Sequence, residues 1–185
     1  MALLQAAEEL AAAGGLDAVG VRSAAAIAGT TTRAVYTVFG SREQLIEGLA
    51  ERSYSLLLEQ VAGVPQSGDA VDHLIDAAVL GFRRFAVGHP QLFRLFFVGV
   101  HPAWRPSETA QSARQESYGQ LISLVRSAKE AGLGPGHSTG ELVLMWDAAC
   151  CGLALREVCG GVDPNQAEQI WRDTLTALVR GLGRA

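Results

Sequence analysis

The chain is 185 residues long, 49% hydrophobic and 18% charged, with a net charge of −4. This is an apolar, globular composition, long enough for a sizeable core, and it excludes intrinsic disorder. The acidic balance excludes a uniformly basic nucleic-acid binder, so any DNA contact has to come from a local basic patch.

Apolar residues recur at spacings of three and four almost throughout, and convincing alternation is absent, which predicts an all-α fold. Leu3, Leu4, Ala7, Leu10 and Ala11 form a first helix, stopped by Gly14-Gly15. A short second helix covers Val21 to Ala28 and ends at Gly29. Thr30-Thr31-Thr32 is a turn that caps a third, running to about Phe39. Gly40-Ser41 is the next turn, with Ser41 opening a long fourth helix.

Gly63-Val64-Pro65-Gln66-Ser67-Gly68 reads as a linker and sets the domain boundary, giving residues 1–62 and 63–185. Asp69 caps a fifth helix that ends near Gly88-His89-Pro90, and Pro90 suits the first turn of a sixth. After the loop from His101 to Pro106, Ser107 caps a helix to about Ala131. Ser138 and Thr139 start another, to about Cys159, and Asp163-Pro164 opens a last one through Leu182. The count is nine.

The segment Val21 to Phe39 has the layout of a helix-turn-helix. Ala24, Ala25 and Ala28 supply close packing; Ile27, Ala34, Val35 and Phe39 are expected to bury the inner face. Thr31, Thr32, Arg33, Tyr36 and Thr37 then lie mostly on the outer face of the second helix. Their hydroxyls suit phosphate oxygens, and Arg33 suits a guanine edge. Arg22 and Arg42, each at a helix start, suit backbone phosphates. Residues 1–62 hold four arginines against seven acids, whereas residues 18–42 hold three arginines and no acid. The expected partner is a double-stranded DNA operator.

At these residues the chain resembles the tetracycline-repressor (TetR) family. The run from Val21 to Leu45 carries an aromatic pair three apart, Tyr36 and Phe39, followed by Ser41-Arg42-Glu43-Gln44-Leu45 in place of a Ser-Lys-Glu-x-Leu motif. The resemblance implies a nine-helix chain, a homodimer and a ligand-gated repressor with a C-terminal effector-binding and dimerisation domain. Arg33 stands where the family usually has glycine, and Val38 where histidine is common. The family also usually carries a basic arm before the first helix. Here the chain opens directly at Leu3-Leu4, so that arm is missing or truncated; without it, weak nonspecific affinity and a shallow salt slope are expected.

The rest of the chain resembles one subgroup through His89-Pro90-Gln91-Leu92-Phe93 and through Trp146 with Cys151-Gly152-Leu153, where the subgroup has Trp…His-Gly-Leu. Phe82, Phe85, Phe93, Phe96, Phe97, Trp104, Tyr118, Met145 and Trp146 are candidate lining for a small-molecule effector pocket, since such sites are apolar with few polar groups. Asp147 could meet a cationic ligand or form a salt bridge to Arg156 or to a neighbouring helix. Dimerisation is expected through the last two helices, with Leu142, Trp146, Ala149, Leu153, Ile170, Leu175, Leu178 and Val179 as candidates.

Chemistry of other kinds finds little support. His89, Asp147 and Cys151 show no nucleophile–base spacing, phosphate loop or metal motif, so neither an enzyme, a cofactor nor a metal is expected. An odd count of three cysteines (Cys150, Cys151, Cys159) fits a reducing compartment. No run of 18 apolar residues and no basic signal-peptide start is present, so a cytoplasmic protein that does not enter the membrane is expected.

Overall fold

The computed structural model describes residues 2–66, 68–98 and 106–183. Among them are nine helices and no strand. They are α1 (Ala2–Ala18), α2 (Val21–Ile27), α3 (Thr32–Phe39) and α4 (Arg42–Ala62). Helix α5 runs as Ala70–Asp76, continues through a π-helical stretch at Ala77–Phe82 and resumes as Arg83–Gly88. Helix α6 is Pro90–Phe93 followed by a second π-helical stretch, Arg94–Val98. The chain continues with α7 (Glu108–Glu130), α8 (Thr139–Val158) and α9 (Pro164–Leu182).

The helix starts follow from local chemistry, because the first N–H groups of a helix need acceptors. The Thr31 hydroxyl oxygen accepts from Ala34 N at 3.2 Å, and Ser41 accepts from Gln44 N at 3.1 Å. Asp69 accepts from Val71 N, Ser107 from Ala110 N, and Asp163 from Asn165 N. Ser138 and Glu141 complete a reciprocal capping box on α8. Capping and the hydroxyl of Ser138 hold the Glu141 carboxyl below its ordinary range. At Gly14-Gly15 the predicted stop is a kink in α1, after which the helix resumes to Ala18.

The chain divides into two compact units, Met1–Ser55 with Gln91–Arg114, and Leu56–Pro90 with Gln115–Ala185. The dividing points fall inside α4 and α7 and at the start of α6.

In the first unit, alanines let helices approach closely: Ala6, Ala7, Ala11, Ala24, Ala25 and Ala50 are all buried, around Leu45 and Leu49. Gly48 gives Leu4 and Phe39 room, since a Cβ there would lie 3.1 Å from each. Tyr54 is buried and donates its hydroxyl to Phe96 O at 3.4 Å, while its ring meets Phe97 at 5.3 Å. Phe97 in turn stacks on Phe93 at 6.2 Å.

In the second unit, α5, α8 and α9 are joined by an ionic cluster. Arg83 donates from Nε and Nη2 to both carboxylate oxygens of Glu157, at 3.0 and 2.8 Å. Trp171, 1% exposed, adds a hydrogen bond from Nε1 to Glu157 at 2.9 Å. Arg172 bridges Asp76 at 2.8 Å and Glu168 at 3.5 Å. Gly81, inside the first π-helical stretch, meets α4 so closely that a Cβ would lie 2.9 Å from Val61 Cα. That approach is open only to glycine, and π turns of this kind accommodate an extra residue where packing demands it.

Candidate nucleic-acid interface

Helices α2 and α3 form a helix-turn-helix whose turn is fixed by Gly29. Its φ of +64° is the left-handed conformation that ends a helix cheaply only when no Cβ is present. Thr30 N then returns to Ala25 O at 2.9 Å and Gly29 N to Ala26 O at 3.3 Å, which satisfies the last carbonyls of α2. Val35, 1% exposed, anchors α3 from beneath, with Ala34 and Phe39 partly buried beside it. Ile27 is not part of that inner face. It is 47% exposed, because α2 ends at this residue and Ala24 and Ala25 already fill the contact.

Arg22, Thr31, Thr32, Arg33, Tyr36 and Thr37 are all exposed. They give α3 an outer face of hydroxyls and a guanidinium, with a second guanidinium on the first turn of α2. The hydroxyls are not equivalent. Thr31 uses an oxygen lone pair to cap α3, so its proton stays available to a phosphate oxygen, which can only accept. Thr37 donates its proton to Arg33 O at 2.9 Å and must rotate before it can donate elsewhere. Helix α2 starts at Gly20 without a side-chain cap, so its first N–H groups remain open to an anion beside Arg22. Ser23, Thr30 and Val38 are exposed in the same segment but were not among the expected DNA contacts, and two of the three carry the same hydroxyl signal.

Arg42 is employed differently from the other arginines. It donates from Nε to Val19 O at 2.6 Å and from Nη2 to Leu16 O at 2.7 Å. It thus ties the start of α4 to the end of α1. Its charge still contributes to the local field, but two of its donors serve the fold. Replacing Arg42 by Met is expected to destabilise the protein by about 2–3 kcal/mol, the scale of hydrogen bonds made by a charged group. Thermal unfolding checks this; a variant of unchanged stability with weakened DNA binding would return Arg42 to the DNA side.

Beside α3, Leu3, Leu4, Ala28, Ala34, Val38 and Phe39 border a shallow apolar groove of about 370 Å³.

The aromatic residues predicted to line an effector pocket are divided between the units. Phe93, Phe96 and Phe97 lie in the first, clustered with Tyr54, which sequence reading missed. Phe82, Phe85, Tyr118, Met145 and Trp146 lie in the second. There Phe82 meets Trp171 at 6.4 Å, Phe85 and Trp146 are buried, and Tyr118 is 47% exposed. Trp104 lies outside the described residues. Among the described residues Asp147 bridges neither Arg156 nor a cation of a neighbouring helix; it accepts a hydrogen bond from the Cys151 thiol, Sγ to Oδ1 3.7 Å. Burial raises the Asp147 carboxyl above its ordinary value and pushes the Cys151 thiol up to about 12, so that thiol stays protonated. No helix of the described residues is long and apolar enough to cross a membrane, and none of their side-chain clusters could hold a metal ion.

A helix-turn-helix with an exposed guanidinium and hydroxyl face, followed by a helical body, defines the class of DNA-binding transcriptional regulators. Residues 3–49 match the model of bacterial regulatory proteins of the tetR family, and residues 75–178 match a tetracyclin repressor-like C-terminal domain. The chain belongs to the TetR family of DNA-binding transcriptional regulators. Solved structures share its fold. A TetR family transcriptional regulator, PfmR, from Thermus thermophilus has 20% identity, covers 98% of this chain and 99% of its own, and superposes with a TM-score of 0.72. FadR from Bacillus subtilis, in complex with stearoyl-CoA, has 15% identity, 98% coverage of each chain and a TM-score of 0.78. A TetR variant from Acinetobacter baumannii AYE, in complex with minocycline, has 20% identity, covers 97% of this chain and 93% of its own, and reaches 0.58. No curated protein matches the chain.

Proposed function

We propose that the protein is a homodimeric repressor that binds a near-palindromic operator through α3 and leaves it when a small apolar effector binds the helical body. The carrying observation is the exposed face of α3, where Thr32, Arg33, Tyr36 and Thr37 face solvent above a buried Val35. Arg22, Thr31 and Thr32 would position the phosphate backbone, and Arg33 would read a base edge.

Dimerisation through the last two helices has support of its own, on part of the expected set: Ile170 is exposed and Ala149, Leu153 and Leu178 are half-buried. Leu142, Trp146, Leu175 and Val179 are 2%, 3%, 0% and 9% exposed, so they are the chain's own core and cannot serve a partner. Exposed apolar positions of the last two helices include Leu144, Ala148 and Gly152 on α8, and Ile170, Ala177 and Gly181 on α9. Leu144 is 66% exposed, an apolar surface that a second copy would cover. Two such subunits would present two copies of α3 about one DNA turn, roughly 34–36 Å, apart.

The effector role draws on the C-terminal match and on relatives bound to minocycline and to stearoyl-CoA. An effector releases DNA only by binding more tightly to the conformation that cannot hold the operator. Selection of bound fragments from random-sequence DNA tests the reading. The expected result is an inverted repeat with half-sites one helical turn apart; recovery of single half-sites or of no consensus would contradict it.

A further inference from the structure

On α3 the two positions most directly opposite the core are Arg33 and Thr37. At about 100° per residue, each lies about 160° round the helix from the buried Val35, one on either side of the far pole. Tyr36 stands about 100° from Val35, and Thr32 and Val38 only about 60° from it, on opposite sides. The second helix of a helix-turn-helix lies in the major groove, so the pole opposite its packed face goes deepest towards the base edges, and its flanks meet the backbone. Arg33 and Thr37 are four residues apart, hence about 6 Å along the helix and on one strip of its surface. Thr37 is exposed, yet its hydroxyl is not offered along that strip. The group donates to Arg33 O at 2.9 Å, back onto the backbone of its own helix. Donation to a phosphate or a base would break that bond, whereas the side-chain methyl is offered with no rearrangement.

We infer that Thr37 reads the methyl group of a thymine through its own methyl, beside the base edge read by Arg33. Each operator half-site then carries a T·A pair about one or two base pairs from the pair that Arg33 recognises, since a base pair rises about 3.4 Å. This rests on the DNA-reading role proposed for α3 and names the base that one further residue selects. The thymine methyl is the apolar group that the base edges present in the major groove, and a threonine methyl fits against it. Val38 is the alternative apolar group at this end of α3, 65% exposed, but it borders the groove with Leu3 and Leu4 and stands far from the pole.

The operator obtained by selection is resynthesised with deoxyuridine in place of each thymine in turn, which removes the methyl and leaves every hydrogen-bonding group. Affinity is measured by fluorescence anisotropy for the full chain as wild type, Thr37→Ser, Thr37→Val and Val38→Ala. Thr37 and Val38 are exposed, so each variant is expected to keep the fold, checked by thermal unfolding. Expected for the wild type is a loss of about fourfold at one thymine in each half-site, the scale of one methyl group withdrawn from water. That thymine lies beside the pair whose discrimination Arg33→Ala relaxes. The penalty persists in Thr37→Val, which keeps the methyl, and disappears in Thr37→Ser, which keeps only the hydroxyl. A penalty lost in Thr37→Val as well would assign the contact to the hydroxyl and overturn the inference. A penalty that persists in Thr37→Ser would also overturn it, and its loss in Val38→Ala would then move the contact to Val38. An operator that keeps its Arg33-dependent pair and shows no methyl penalty at any thymine would overturn this inference alone. Selection of no consensus would overturn the DNA-reading role of α3 and this inference with it.

Discussion

Replacing Arg83 by Met is expected to lower stability by about 3–5 kcal/mol, the cost of leaving a buried charge without its partner. The Glu157 side chain is 7% exposed and Arg83 is 17% exposed, so water cannot take over the role of the guanidinium. Both Glu157 oxygens are engaged by Arg83, and Trp171 alone would remain to hold one of them. A typical domain has only about 5–15 kcal/mol of total stability, so a loss of this size shows as a large drop in the thermal midpoint. Adding Glu157→Gln to the variant removes the orphaned charge and is expected to recover a large part of the loss. Urea unfolding of the two single variants and the double variant gives the coupling energy directly. A coupling below about 0.5 kcal/mol would mean the pair is a surface-like bridge that contributes little, contrary to its geometry.

Placing a charge at Leu144 is expected to have the second large effect, on assembly rather than on folding. The side chain is 66% exposed within one chain, so Leu144→Glu should change monomer stability by no more than about 0.5 kcal/mol. In the proposed dimer it would bury one unpaired charge from each subunit in a symmetric apolar face. Light scattering is expected to move from a dimer to a monomer mass. Operator affinity should fall by at least about a hundredfold, because one recognition helix per molecule then has to bind without the effective concentration its twin provides. A dimer of unchanged mass would place the interface elsewhere.

The parts of this protein that were legible in the sequence are those set by local chemistry. Thr31, Ser41, Asp69, Ser107, Ser138 and Asp163 each stand at a helix start, because a short polar side chain can reach an N–H two or three residues ahead. Gly29 marked its turn because a residue without a Cβ takes the left-handed φ of +64° at little cost. The exposed hydroxyl and arginine face of α3 followed from helical period alone. What sequence left hidden depends on contacts between distant residues. Arg42 looked like a phosphate ligand until its partners, 23 and 26 residues away, were in place. The Arg83–Glu157 bridge spans 74 residues. The two apolar stripes on α8 and α9 have the same period, so only burial separates Trp146 and Leu175, which face the chain's own core, from Leu144 and Ile170, which do not. The π-helical stretches at Ala77–Phe82 and Arg94–Val98 left no mark in the apolar spacing.

The most direct test of the proposed DNA face is operator affinity measured by fluorescence anisotropy across a salt series, with the operator fragment obtained by selection. Wild type is compared with Arg33→Ala and with Tyr36→Ala. Both residues are exposed, so neither change should disturb the fold. Loss of Arg33 is expected to cost about 1–3 kcal/mol on the operator and to relax discrimination at one base pair, as for any guanidinium on a base edge. Loss of Tyr36 is expected to weaken binding evenly across sequences, as for a phosphate contact. Unchanged operator affinity in both variants, with folding intact, would contradict the assignment of α3 as the surface that reads DNA.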